Sequence, residues 1–320
     1  MNQIAMGSGG EFDRIRSIVA ALGDSAGPIG GDTAPVPDGE GTLVVSTDTS
    51  VEHVHFEREW LTPREIGWRA AASALSDLAA AAARPVGLVV ALSVPRDAAR
   101  GDSTEVMHGI GDAARSVGAS VLGGDLSEST EWNLAVTVLG RCVRPMSRVG
   151  ARPEDGVWVT GTLGGARAAL DAWQSGREPA AIARSAFAHP SPRISAALWL
   201  ATHGATAMMD LSDGIGGDAQ HLAAASKVQL RLTLNDLPIH PAVANEAGRG
   251  GITSPLFAAD GGEDYELLVT LPREFDAAGA FERDHNLALT RIGDVCDGAG
   301  VIATLDGKVV ALNGYRHRVK

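Results

Sequence analysis

The chain has 320 residues, of which 45% are hydrophobic and 39 are glycine, and its formal net charge is −12. This composition excludes a disordered or fibrous protein and is typical of an α/β protein large enough for two domains. The negative charge argues against nucleic acid or an acidic membrane surface as a partner. A phosphate-bearing ligand would need a divalent cation to offset repulsion. Without a signal pattern or an apolar run of ~20 residues, we expect a cytoplasmic protein.

The first half of the chain alternates between strand and helix patterns. Apolar and β-branched residues at 43–48 predict a strand. Thr62 and Glu65 predict a capping box at the start of a helix that continues to about residue 83. Further elements are predicted in chain order: a strand over 86–94, a helix over 103–117, and strands over 119–122 and 133–143. The order predicts an α+β domain with helices on one face of a sheet.

A segment rich in Arg, Pro and Gly at 144–155 separates the two halves. Beyond it the predicted elements are strands over 157–160, 205–209, 229–234 and 265–270, a helix after residues 161–166, a second helix that follows Gly214 and runs to about 226, and a hairpin over 301–312. Asp306-Gly307 is a strong signal for a type I′ turn in that hairpin. We therefore expect an N-terminal domain over 1–145 and a C-terminal α/β domain with a mixed sheet over 146–320.

Six short acidic motifs, each beside small residues, are distributed along both halves. They are Gly30-Gly31-Asp32, Ser46-Thr47-Asp48-Thr49, Leu75-Ser76-Asp77, Gly123-Gly124-Asp125, Asp210-Leu211-Ser212-Asp213-Gly214 and Gly261-Gly262-Glu263-Asp264. Carboxylate and hydroxyl oxygens suit a hard cation such as Mg²⁺, which commonly joins a few carboxylates to substrate phosphates. Their number predicts one site assembled from the ends of several elements.

Each motif also has a simpler interpretation. Asp48, at the end of a predicted strand, is a ligand or the cap of a turn. Asp77, late in an apolar helix, is a ligand or points to solvent. Asp125 follows glycines that let a backbone approach a phosphate, or it belongs to a glycine turn. Asp210 and Asp213 flank a strand-to-helix junction that favours anions, or they form an N-cap.

Two further patterns are less specific. The glycine-rich residues 161–166 are consistent with a phosphate loop, but a plain turn explains them as well, and no P-loop or protein-kinase motif is present. His53 and His55 alternate along a predicted extended stretch and would share one face. Zinc is a minority interpretation of this pair, and His55 could instead donate to a substrate phosphate or ring. Cys142 and Cys296 lack metal-site spacing and are expected to be free thiols.

The acidic motifs, taken with four others, resemble the thiamine-monophosphate kinase family. The additional motifs are Arg148-Val149-Gly150-Ala151, Val159-Thr160-Gly161-Thr162-Leu163-Gly164, Pro190-Ser191-Pro192-Arg193 and Gly314-Tyr315-Arg316-His317. The family shares an ATP-binding superfamily with aminoimidazole ribonucleotide synthetase and selenophosphate synthetase. The resemblance covers nearly the whole chain. One departure is Gly31, where the family usually has a second aspartate beside the residue matched by Asp32.

The resemblance implies a kinase that converts thiamine monophosphate into thiamine diphosphate by in-line transfer of the ATP γ-phosphoryl group, assisted by several Mg²⁺ ions. It also implies a homodimer in which the N-terminal sheets of two subunits join into a barrel, with ATP and substrate in a cleft between the domains. The alternatives are another ATP-dependent enzyme of the superfamily and a non-catalytic sensor of metal or nucleotide.

Residue roles follow from the motif match. The implied metal ligands are Asp32, Ser46, Thr47, Asp48, Asp77, Asp125, Asp210 and Asp213. The implied ATP contacts are Gly124, Asp125, Arg148 and Ser212. The implied thiamine-phosphate contacts are His55, Glu263 and Tyr315. The resemblance implies that the residues central to catalysis are Asp48, Asp77, Asp125, Asp210 and Arg148.

Overall fold

The computed structural model describes residues 17–26, 36 and 38–314, which divide into two compact units. The first lies within Met1–Leu78 and Ala83–Arg144, and the second within Ala79–Ala82 and Pro145–Lys320. Each unit contains one mixed sheet with helices, which agrees with the predicted fold class for both halves. No helix in the described part of the chain is both long enough and apolar enough to cross a membrane.

The first unit is built on a four-stranded sheet. Its elements are β1 (Thr42–Val51), α1 (Pro63–Ala80), β2 (Arg84–Pro95), α2 (Asp102–Ser116), β3 (Ser120–Ser129) and β4 (Asn133–Cys142), preceded by a 3₁₀ turn at Gly23–Ser25. The strand order is β1-β4-β2-β3, with β2 and β3 parallel and the other neighbours antiparallel. Every element predicted for this half is present. Strands β1, β2 and β3 are longer than predicted, and β4 ends one residue earlier than predicted.

The helix α1 begins with the predicted capping box. The Thr62 N–H donates to Glu65 Oε2 (2.8 Å), and the Glu65 N–H donates to Thr62 Oγ1 (3.3 Å), so two main-chain donors at the helix start are satisfied. The helices α1 and α2 meet through glycines. A Cβ built on Gly67 would lie 1.8 Å from the carbonyl oxygen of Val106, and one built on Gly109 would clash with the backbone of α1. Only glycine permits this close approach.

The two faces of this sheet differ in burial. Alternate residues of β4, namely Leu134, Val136 and Val138, are buried, as a strand with one core-facing side requires. On the edge strand β1, Leu43 and Val45 are 44% and 65% exposed. The first unit therefore presents apolar side chains on the outer face of an edge strand.

The second unit is built on a seven-stranded sheet. Its elements are β5 (Gly156–Thr160), α3 (Gly165–Gln174), α4 (Ala181–Ala188), α5 (Ile194–Thr202), β6 (Ala207–Asp210), α6 (Ile215–Ser226), β7 (Gln229–Thr233), a 3₁₀ turn (Leu234–Asp236), α7 (Val243–Arg249), α8 (Ser254–Ala259), β8 (Leu267–Leu271), α9 (Ala278–His285), β9 (Leu289–Cys296), β10 (Gly300–Leu305) and β11 (Lys308–Val310). The strand order is β11-β10-β7-β9-β5-β8-β6, in which only β10 and β7 are parallel neighbours. The core includes Leu230, Leu268 and Ile292.

The predicted hairpin near the end of the chain is confirmed. β10 and β11 pair antiparallel across Asp306 and Gly307. Both residues have positive φ, 50° and 72°, which is the requirement of a type I′ turn. The helices α4, α5, α7, α8 and α9 and the central strand β9 were not predicted. The buried residues of β9 recur every third position rather than every second, so the strand lacks the alternation by which a half-buried strand is predicted.

Candidate functional site

In the first unit, three predicted ligands lie on one face. Ser46 and Asp48 of β1 are half-buried, whereas Thr47 between them is exposed. The Ser46 hydroxyl donates a 2.5 Å hydrogen bond from Oγ to Oδ2 of Asp77, near the end of α1. Side chains two residues apart on a strand share a face, so Asp48 lies on the same side as Ser46. The alternative in which Asp77 simply points to solvent is thereby excluded.

The position of Asp48 differs from the prediction. It does not end the strand, because β1 continues to Val51 and Asp48 pairs with Val136 of β4. Thr47 points to the opposite face, where its Oγ1 lies 2.8 Å from Oγ1 of Thr137. Any contact of Thr47 with a metal on the Asp48 side would therefore fall to its main-chain carbonyl rather than its hydroxyl.

Gly123-Gly124-Asp125 was predicted to follow a strand, and that prediction was wrong. The motif lies inside β3, where Gly124 pairs with Val90 and Asp125 with Ala91 of β2. A Cβ on Gly124 would sit 2.1 Å from the Val90 carbonyl oxygen, so glycine is required by the close approach of β2. Asp125 is exposed on the strand.

The histidine pair lies in a turn rather than in the predicted extended stretch. His53 has a φ of 66°, and the His55 N–H donates to the Val51 carbonyl (2.9 Å). His53 Nδ1 lies 2.6 Å from Oε2 of Glu57, and this hydrogen bond raises the pKa of His53. His55 Nδ1 accepts from the Val51 N–H (3.1 Å), so a neutral His55 carries its proton on Nε2. His55 is thereby oriented as a hydrogen-bond donor.

In the second unit, two of the acidic motifs form one structure. The loop 210–214 follows β6, and the loop 261–266 leads into β8. Three main-chain bonds of 2.8 Å join them: the Leu211 N–H donates to the Glu266 carbonyl, the Glu263 N–H to the Ser212 carbonyl, and the Tyr265 N–H to the Leu211 carbonyl. A Cβ on Gly262 would lie 2.5 Å from the Ser212 carbonyl oxygen. The glycines flanking these acids are thus needed for the two loops to touch.

A third carboxylate, Asp218, adjoins the loop 210–214 and was missed in the sequence. Its Oδ2 accepts a 3.0 Å hydrogen bond from the Asp213 N–H, and its side chain is buried in the first turn of α6. Burial, together with repulsion from Asp213 and Asp210, raises the pKa of Asp218 to about 7. The sequence motif that could have identified it is Gly216-Gly217-Asp218, in which the aspartate lies one helical turn beyond Gly214.

Arg148 offsets part of this negative charge. Its charge lowers the pKa of Asp218, which places the guanidinium in electrostatic range of the carboxylate cluster. Its main-chain carbonyl accepts a 2.7 Å hydrogen bond from Ser226 Oγ, at the end of α6. The side chain is exposed, so it is available to an anionic ligand. The structure therefore brings Arg148, Asp210 and Asp213 to one region of the second unit.

The glycine-rich loop before α3 is hydrogen-bonded to carboxylates of the chain itself. Its Gly164 N–H donates to both carboxylate oxygens of Asp264 (3.0 and 2.9 Å), at the N-terminus of α3. The buried Glu266 accepts from Thr160 Oγ1 (2.7 Å) and from Nε and Nη2 of Arg193 (2.8 and 2.5 Å). The Gly164 N–H and the Thr160 hydroxyl thus already donate to the chain's own carboxylates, which favours the simpler interpretation of this loop as a structural turn.

Two predicted site residues, Asp32 and Tyr315, lie outside the described residues. Within residues 17–26, 36 and 38–314, no group of three or more His, Cys, Asp or Glu side chains is arranged to hold a metal ion. The ligand and substrate roles assigned from the sequence stay predictions, and the structure places the described residues in two separate sets, one in each unit.

Most of the chain matches one known family. Residues 30–142 match the N-terminal domain, and residues 152–306 the C-terminal domain, of AIR synthase related proteins. The two sheets and the acidic loops on them thus define a two-domain protein of the AIR synthase related class.

Comparison with individual relatives identifies the family within this class. The thiamine-monophosphate kinase of Aquifex aeolicus is 33% identical over 314 residues, covering 96% of this chain and 98% of the relative. The crystal structure of the thiamine-monophosphate kinase from Stenotrophomonas maltophilia has a TM-score of 0.81 at 33% identity, covering 96% and 99% of the two chains. The structure of AaThiL complexed with AMPPCP and TMP has a TM-score of 0.77 at 32% identity, covering 86% and 87%. The chain belongs to the thiamine-monophosphate kinase family, and it is a kinase.

Proposed function

We propose that this kinase transfers the γ-phosphoryl group of ATP in line to the phosphate of thiamine monophosphate, giving thiamine diphosphate and ADP. The observation that carries the proposal is the similarity to thiamine-monophosphate kinases over 96% of the chain, including a relative whose structure contains AMPPCP and TMP. AMPPCP is an ATP analogue whose terminal phosphate cannot be transferred, which supports ATP as the phosphoryl donor.

The donor set suits magnesium. Burial, together with repulsion from Asp213 and Asp210, raises the pKa of Asp218, and a cation bound near these carboxylates would relieve the repulsion. In the first unit, Ser46, Asp48 and Asp77 offer hard oxygen ligands on one face. The residues that would hold several Mg²⁺ ions are Asp32, Ser46, Thr47, Asp48, Asp77, Asp125, Asp210 and Asp213. Bound there, magnesium would neutralise the phosphates and stabilise charge on the transferred group.

The remaining contacts divide between the two substrates. Gly124, Asp125, Arg148 and Ser212 are assigned to ATP, and His55, Glu263 and Tyr315 to thiamine monophosphate. Gly124 lies where β2 approaches β3 closely, and the exposed Arg148 supplies a positive donor for phosphate oxygens. The protonated Nε2 of His55 can donate to a substrate oxygen, and the Glu263 carboxylate attracts the cationic thiazolium ring.

The acceptor chemistry fits a site without a strong base. A phosphate monoester has an ionised oxygen at neutral pH, so the nucleophile needs no deprotonation by the protein. The difficulty is bringing two anions together, and the protein's task is positioning and electrostatic stabilisation. The catalytic role is therefore assigned to Asp48, Asp77, Asp125, Asp210 and Arg148.

We further propose that the protein is a cytoplasmic homodimer, with residues 1–145 as the metal-binding and dimerisation domain and residues 146–320 as the α/β domain. The outer face of β1, with Leu43 and Val45 exposed, supports contact between the N-terminal sheets of two subunits. A barrel closed by two such sheets would remove the exposed edge of β1.

One assay separates this function from its rivals. The purified protein is incubated with ATP and magnesium, with or without thiamine monophosphate, and thiamine diphosphate and ADP are quantified. We expect equal amounts of both products that depend on thiamine monophosphate. ADP formation with another phosphate or acid acceptor, but not this one, would identify a different enzyme of the superfamily. Binding of ATP without formation of either product would identify a sensor.

A further inference from the structure

We propose that Tyr265 is a positioning residue that orients the Glu263 carboxylate toward the cationic ring of thiamine. The inference rests on the proposed function and extends it to a residue that no motif match assigned. The Tyr265 hydroxyl donates a 2.7 Å hydrogen bond to Oε2 of Glu263. The tyrosine ring is 8% exposed, so its hydroxyl is held by the packing of the ring.

The backbone around this pair is unusual. Glu263 has a φ of 71° and Tyr265 a φ of 51°, so two non-glycine residues adopt the left-handed conformation within three positions. Such conformations cost free energy and persist only where the surrounding structure fixes them. Here the main-chain bonds from Glu263 to Ser212 and from Tyr265 to Leu211 supply that constraint. The strain is concentrated at the segment where substrate recognition is assigned.

The residue between them is fixed in a different way. The Asp264 carboxylate accepts two hydrogen bonds from the Gly164 N–H and caps α3. The three consecutive residues Glu263, Asp264 and Tyr265 therefore have two different roles. Asp264 serves the fold, whereas Glu263 and Tyr265 form a separate pair held by their own hydrogen bond.

The chemistry explains why such a pair would matter. A glutamate side chain has three rotatable bonds, and ordering it on binding costs entropy. A hydrogen bond to one carboxylate oxygen fixes its orientation in advance and leaves the negative charge in place for a cation. A phenol is a suitable donor because it is neutral and does not compete with the ligand for that charge. The expected ligand feature is a delocalised organic cation, as in the thiazolium ring.

The test uses Tyr265→Phe in the full-length protein, which keeps the ring and removes the hydroxyl. Binding of thiamine, which carries the cationic ring without a phosphate, is measured by isothermal titration calorimetry. We expect the Kd for thiamine and the KM for thiamine monophosphate each to rise about tenfold, the loss expected for one hydrogen bond to a charged group. The KM for ATP should stay within about twofold, because the change does not touch the nucleotide contacts.

Coupling between the two residues separates positioning from a merely structural role. Glu263→Gln alone should weaken thiamine binding, and adding Tyr265→Phe to it should produce little further loss. Additive losses in the double variant would overturn the proposal, as would unchanged thiamine binding in Tyr265→Phe. If the wild type forms thiamine diphosphate but Tyr265→Phe binds thiamine as tightly as the wild type does, the proposed role of Tyr265 is refuted and the proposed function is not. Absence of thiamine diphosphate formation by the wild type would refute the proposed function as well.

A second measurement covers the case in which Tyr265→Phe does not fold. The chain has two tyrosines, Tyr265 and Tyr315, so 3-fluorotyrosine labelling gives two ¹⁹F resonances, and Tyr315→Phe assigns them. The Tyr265 resonance should shift on addition of thiamine and should also shift in Glu263→Gln. A resonance that responds to neither change would contradict the proposal.

Discussion

Ser46 Oγ on β1 donates a 2.5 Å hydrogen bond to Oδ2 of Asp77 on α1, joining two acidic motifs that are 31 residues apart. The bond connects the edge strand β1 to the helix α1 of the same unit. It fixes the orientation of the Asp77 carboxylate, which the sequence alone did not determine. Both residues are assigned to the metal site, so the bond has a functional consequence that can be measured.

Ser46→Ala should weaken magnesium binding without unfolding the protein. Loss of a residue that orients a metal-binding carboxylate typically costs 10–100-fold in metal affinity or activity, so we expect the magnesium concentration for half-maximal activity to rise by about tenfold. The measurement is initial rate against magnesium concentration. Ser50→Ala, four residues further along the same strand, is the matched control and should leave that concentration unchanged. Equal effects of the two variants would contradict the assignment.

Asp48→Asn should reduce turnover by roughly a thousandfold, because a metal-assisted transition state loses several kcal/mol when a ligand charge is removed, and each 1.36 kcal/mol is a factor of ten. Asp48 is half-buried on β1, and the neutral amide has nearly the same shape, so the thermal unfolding midpoint should be retained. Asp276→Asn, at an exposed position, is the control for a general effect of charge. Near-normal turnover of Asp48→Asn at saturating magnesium would rule out the metal-site assignment.

Asp218→Asn should stabilise the metal-free protein above neutral pH. The pKa of Asp218 is about 7 in the folded protein against an ordinary value of 3.8, so the folded state binds more protons than the unfolded state between these values. Stability of the wild type therefore falls as pH rises through this window and is level above it. At about 1.4 kcal/mol per pH unit, the advantage of the neutral amide reaches at most about 4 kcal/mol.

The measurement for Asp218→Asn is urea unfolding from pH 4 to pH 8 in buffer containing a chelator. The stability difference from wild type should be smallest near pH 4 and largest near pH 8. Asp276→Asn provides an exposed carboxyl for comparison and should follow the wild type. A difference that does not vary with pH would show that the two Asp218 protonation states are equally tolerated.

Val45→Lys should dissociate the proposed dimer. Val45 is 65% exposed on the outer face of β1, and a lysine there would place two like charges near a two-fold contact between sheets. Sedimentation velocity should show a dimer for the wild type and a monomer for the variant. Val309→Lys alters a similarly exposed valine, 74% exposed on β11 of the second unit, and should remain dimeric. A monomeric wild type, or a dimeric Val45→Lys, would place the contact elsewhere.

Much of the local structure was predictable because its causes are local. The capping box of Thr62 and Glu65 and the turn at Asp306-Gly307 each depend on residues within four positions of one another. Asp48 and Asp125 were singled out from the sequence as site residues, but their positions within strands were not predicted. Both lie within strands, because pairing with β4 and β2 extends those strands through polar and glycine residues that by themselves favour a turn.

The sequence by itself determined the acidic motifs, the chemical class of ligand they suit and the family, since these depend on residue type and order. Only the tertiary structure decided which of these side chains lie together. It paired Ser46 with Asp77, added Asp218 beside Asp213, and assigned Asp264 to cap α3 while Tyr265 holds Glu263. These pairings depend on contacts between residues up to 100 positions apart. They also depend on burial, which raises the pKa of Asp218. Long-range contacts and burial cannot be determined from any short stretch of the chain.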